Sequence, residues 1–109
     1  RVVRPDQRQR RATQDGGVMG ALTFDNNETG FLDWMAANPD GFVANRDRRG
    51  TSKYYPMAHR ASCKALHTRD NYTTNDYYKV CAYTVADLAQ WAATDSHRKL
   101  RHCKLCRPE

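Results

Sequence analysis

The sequence predicts an α+β fold: a small antiparallel sheet of about three strands with two helices, cross-linked near its C-terminus. Three observations predict it. Two stretches carry apolar residues at helical spacing, 28–37 and 84–92. Three short runs between them are rich in aromatic and β-branched residues. Runs of strands and helices that do not alternate regularly give an α+β layout rather than a parallel sheet. The third observation is a late Cys103-Lys-Leu-Cys106 turn, which brings two thiols close enough to share a ligand or a bond.

The first helix is expected over 28–37. Phe31, Leu32, Trp34 and Met35 make one apolar stripe, and Asn26 or Asn27 can cap its start. Asn38-Pro39-Asp40-Gly41 stops it. A strand is expected over 41–45, then a polar turn over 45–52 with Arg46, Arg48 and Arg49 at its tip. A second strand is expected over 54–59, with Pro56 favouring an edge or a bulge. Residues 59–66 read as a turn or short helix, and 67–76 as polar loop. Tyr77 to Tyr83 is the strongest strand. Thr84 then caps a helix whose Val85, Leu88, Ala89 and Ala92 form a buried face. Residues 1–20 are Arg- and Gln-rich without apolar periodicity and read as a flexible basic leader; 21–109 read as one domain.

The chain has 109 residues and only 39% hydrophobic ones, so a metal or disulfide would help it hold together. Four cysteines and four histidines are available. Zinc takes Cys thiolates and His imidazoles in a tetrahedron, and four protein ligands close a structural site. Cys103 and Cys106 supply one pair. His59 and Cys63, four residues apart, point the same way on a helical turn and supply the other. Cys81 is the alternative ligand in place of His59; otherwise it is a small buried core residue. Two disulfides are the competing use of the four cysteines in an oxidising compartment. No secretory segment is apparent, and no apolar run approaches a membrane span, so a cytoplasmic chain free of membrane is expected.

The formal charge is +6 and lies at the ends. Residues 1–11 carry five Arg against Asp6, and 96–109 carry five Lys or Arg against Glu109, which leaves the middle slightly acidic. A basic end beside a zinc site favours a polyanion partner, most simply nucleic acid, DNA before RNA. The candidate contacts are Arg98, Lys99, Arg101, Lys104 and Arg107, with Arg46, Arg48 and Arg49 at the hairpin tip. The sequence lacks a His-Glu-x-x-His helix, a deaminase signature, a Walker loop and a dinucleotide fingerprint, so no catalytic residue is assigned. A protein-interaction module and a metal-dependent nuclease are the alternative readings.

The run Tyr54…His59-Arg60-Ala61-Ser62-Cys63, a spacer, and Leu100-Arg101-His102-Cys103-Lys104-Leu105-Cys106-Arg107-Pro108 resembles the metal-binding module of Ada-type DNA-repair proteins. It is also similar to Cys/His modules appended to bacterial nucleases. The likeness covers 54–108 and is concentrated at the ends of that span. His102 stands where such modules often carry Pro, and His59 replaces a Cys of the Ada pattern. Methyl-transfer chemistry therefore does not carry over. The resemblance implies a structural zinc and a DNA-associated setting in a bacterial or phage protein.

Overall fold

The structure is a computed structural model, and it describes residues 20–67 and 71–108. The expected leader over 1–20 falls almost wholly outside that range. The elements, in chain order, are strand β1 (Ala21–Phe24), helix α1 (Glu28–Ala37), strand β2 (Phe42–Asp47), strand β3 (Met57–Arg60), a 3-10 turn (Lys64–Leu66), strand β4 (Tyr77–Ala82), helix α2 (Val85–Trp91) continuing into a wider turn (Ala92–Ser96), and strand β5 (Arg101–His102).

The five strands form one mixed sheet in the order β1-β4-β2-β3-β5. The first three pairings are antiparallel, and β3–β5 is parallel. The fold is therefore α+β with two helices, as predicted, but the sheet is larger than three strands and not wholly antiparallel. The two missed strands lack a sequence signal. Strand β1 is four residues long without clean alternation. Strand β5 has two residues, both exposed. Its pairing shows only in three dimensions: Arg101 N–H donates to Pro56 O at 2.9 Å and Cys103 N–H to Ala58 O at 2.9 Å.

Alternation along the strands sends side chains to two separate cores. In register, Leu22, Cys81, Val43 and His59 form one row across the sheet. That face is covered by Phe31, Trp34 and Met35 of α1 and by Leu66 and Tyr72. The opposite face carries Ala44, Ala58 and Val80, covered by Leu88 and Trp91 of α2 and by Leu100. His59 thus enters the first core from the strand next to the β5 edge.

Local rules account for the helix ends. Asn27 Oδ1 accepts from Gly30 N at 2.9 Å, and Thr84 Oγ1 accepts from Asp87 N at 3.1 Å; each satisfies an otherwise orphaned first-turn amide. Past Asn38 the chain turns so tightly that a Cβ on Gly41 would lie 2.5 Å from the Trp34 ring, which requires glycine. Strand β3 starts at Met57 rather than Tyr54, since Pro56 has no N–H for a ladder.

Candidate metal centre and its basic surroundings

His59, Cys63, Cys103 and Cys106 converge. Their ligand atoms all lie within 4.8 Å of one another, and the first three residues are buried. The Sγ atoms of Cys63 and Cys103 are 4.0 Å apart. A tetrahedral ion with metal–sulfur bonds of about 2.3 Å separates its sulfurs by about 3.8 Å, so the spacing suits a shared metal. It does not suit a disulfide, and all four cysteines are free thiols.

Each ligand is placed by a different element. His59 sits on β3 opposite Val43. Cys63 follows a tight turn in which its N–H donates to Arg60 O at 2.9 Å, and it opens the 3-10 turn. Cys103 comes directly after β5, and Arg107 N–H donates to its carbonyl at 2.9 Å, which closes the Cys-x-x-Cys turn. Cys106 Sγ accepts from Arg60 N at 3.2 Å. The Arg60 guanidinium then grips the turn from outside, donating to Cys106 O and Arg107 O at 2.9 Å each. Metal centres depend on outer partners of this kind to fix their ligands.

His59 and Cys103 are held toward the protonation states a metal takes, and Cys63 is not. Burial, reinforced by the nearby Lys79 ammonium, lowers the His59 pKa to about 4, so the imidazole is neutral at pH 7. Its Nδ1 is buried and has no hydrogen-bond partner among the described residues. A buried polar atom left in that condition is costly, and a metal ion would satisfy it. Burial works against charge on Cys103, yet the backbone N–H groups of Cys106 and Leu105 outweigh it and hold the thiol below its ordinary value. Cys63 goes the other way, pushed up to about 11, chiefly by burial.

Cys81, the alternative ligand, is not part of the cluster. It lies fully buried between Leu22 and Val43 in the sheet, and burial raises its thiol well above the ordinary range. No second cluster of three or more His, Cys, Asp or Glu side chains occurs among the described residues.

The predicted basic contacts divide into two groups. Several are committed to the fold. Arg48 donates to Asp25 Oδ1 at 2.6 Å and to the carbonyls of Asn75, Thr73 and Tyr77. Arg46 donates to Asp47 O, pairs with Asp95 at 3.7 Å, and lies over the Tyr78 ring. Arg98 donates to the carbonyls of Gly50, Ser52 and Tyr55, which ties the β2–β3 loop to the approach to β5. The others face outward: Arg49, Lys99, Arg101, Lys104 and Arg107 are exposed. Lys99, Arg101 and Lys104 make no ion pair among the described residues, and they flank the cysteine turn.

Sequence reasoning missed two polar anchors. Lys79 is buried and donates to Asn45 Oδ1 at 2.9 Å and Tyr72 O at 2.8 Å. Its position, two residues before Cys81 on the same strand face, was the available signal. Glu28 accepts from the N–H groups of Tyr72 and Thr73 and from Thr73 Oγ1. Nothing local in the sequence marks that contact, which spans 44 residues.

The fold and site define a small α+β domain built around a Cys3His cluster. Beyond that class the chain stands apart: no family model, no curated protein and no solved structure matches it. Among the described residues no helix is long and apolar enough to cross a membrane.

Proposed function

We propose that the Cys3His cluster holds one zinc ion in a structural role and that the chain is a nucleic-acid-binding domain, with DNA as the expected partner. Three thiolates and an imidazole in a compact set are a donor combination that suits zinc, and four protein ligands leave no open position for catalysis. The observation that carries the binding reading is the group of exposed cations Lys99, Arg101 and Lys104 at the cysteine turn, which make no ion pair among the described residues. Arg107 and Arg49 add charge nearby in sequence and on the hairpin tip. Such contacts neutralise phosphates and supply affinity rather than sequence choice.

The test pairs elemental analysis with anisotropy titration of labelled DNA. One zinc per chain is expected, lost on His59→Ala and kept on Cys81→Ser. Binding should weaken steeply as salt rises, and Lys104→Ala should lower the log–log salt slope by about 1. Affinity unchanged between low and moderate salt would sink the nucleic-acid reading.

A further inference from the structure

A groove of about 1020 Å³ runs along the β3–β5 edge of the sheet. Its floor is apolar, with Met57 and Leu100, and its rim carries Lys53, Lys99, Arg101 and Lys104. No carboxylate lines it among the described residues. Tyr54 stands on the wall with 58% of its surface exposed, one of the few large apolar side chains left in solvent. Lys53 Nζ sits over one face of the Tyr54 ring, 5.6 Å from its centre, so a base would stack on the other. An exposed aromatic ring beside cations that make no ion pair among the described residues has a recognisable chemistry: the ring offers a stacking surface and the cations follow a phosphate backbone.

We propose that this groove binds a single-stranded polynucleotide, with a base stacked on Tyr54 and the backbone held by Lys53, Lys99, Arg101 and Lys104. The inference rests on the nucleic-acid reading above and sharpens it. Base faces are closed inside a duplex and open in a single strand, so a stacking wall selects the latter. Neither helix contributes a residue to the groove's lining, so no helix is presented there to enter a major groove. The two residues of β5 form the groove's outer rail, and that strand is continuous with the metal-ligand turn at Cys103. The ion and the groove therefore share one segment of chain.

Anisotropy of the zinc-loaded full chain with labelled oligo-dT, oligo-U and a duplex of equal length tests this. Both single strands should bind more tightly than the duplex, and the stronger of the two identifies DNA or RNA as the source. Tyr54→Ala should weaken single-strand binding about tenfold, the scale of one lost base stack. Tyr54→Phe should keep it. Tyr83→Ala removes an equally exposed aromatic that packs beside Trp34 instead, and it should change nothing. Tyr54→Trp adds a reporter: Trp34 and Trp91 are only 8% and 4% exposed, so fluorescence quenched by oligo-dT arises at position 54. Salt-sensitive binding that favours duplex, or that ignores Tyr54→Ala, overturns the groove assignment and leaves the nucleic-acid reading standing. No binding of any of the three overturns both.

Discussion

The two edges of the sheet are held by different means. At one edge, β1 pairs four residues antiparallel with β4, and α1 packs its Phe31 against Phe24 and Tyr72. Thr73 O accepts from Asn26 N–H and Thr73 Oγ1 from Asn27 N–H, and the Glu28 carboxylate accepts from the N–H groups of Tyr72 and Thr73. At the other edge, β5 pairs two exposed residues with β3 and ends at once in Cys103. Two ladder positions are too few to fix a strand. Burial and backbone pairing secure the β1 edge; at the β5 edge the guanidinium ties of Arg60 and Arg98 and the Cys3His cluster stand where the ladder is short. The lesson is that the β1 edge rests on ladder and helix packing, while the β5 edge has little ladder and lies beside three of the four clustered ligands, His59, Cys103 and Cys106.

The largest expected effect breaks the β5 edge. Cys103→Ser, or chelation of the proposed zinc, should destabilise the protein by on the order of 5 kcal/mol, given the size of structural-zinc binding energies. Hydrogen exchange should show where: protection falls at residues 58–60 and 101–103, and persists at 21–24. Uniform loss across both edges would erase the contrast. Next is the β1 edge. Phe31 is fully buried, and Phe31→Ala should cost about 3–5 kcal/mol by denaturant titration while zinc content stays at one per chain.

The smallest effect concerns the polar tie at the β1 edge. Burial alone would raise the Glu28 pKa, but the N–H groups of Thr73 and Tyr72 prevail and hold it below the ordinary value of 4.5. A carboxylate depressed in the folded state contributes stability above its unfolded pKa. That contribution disappears as pH falls from about 4.5 through the lower folded value. The difference in stability between wild type and Glu28→Gln, measured at saturating zinc, should be about 1 kcal/mol near neutrality and shrink over that acid window. A difference that stays constant across the window would show that Glu28 acts through packing instead.

Much of this was legible in the sequence. The helix over 28–37 was readable because its stripe, its Asn cap and its Asn-Pro-Asp-Gly stop agree. The Cys103–Cys106 half of the cluster was readable from its turn spacing; His59 and Cys63 also converge, but not on the helical turn expected for them, since His59 lies on β3 and Cys63 follows the tight turn after it. What the sequence could not supply was anything set by distant pairing. Strand β5 exists because Pro56 and Ala58 offer carbonyls to residues far along the chain. Arg48 and Arg98 read as solvent-facing charge, yet carbonyls from remote loops claim their donors. A guanidinium that caps backbone carbonyls looks the same in sequence as one that waits for phosphate.

Cys63 and Cys103 lie 40 positions apart, and β4 and α2 fall entirely between them. An ion that joins the two sulfurs closes that stretch into a ring. By the chain-entropy treatment of cross-links, closing a ring of this size in the unfolded chain removes about 4 kcal/mol of disorder. Strand β4 is the one that pairs with both β1 and β2, and those pairings are long-range contacts that ordinarily slow folding. An ion captured early would confine β4 to the neighbourhood of β3 before any sheet exists, so metal supply would govern how fast the fold is reached as well as how firmly it holds.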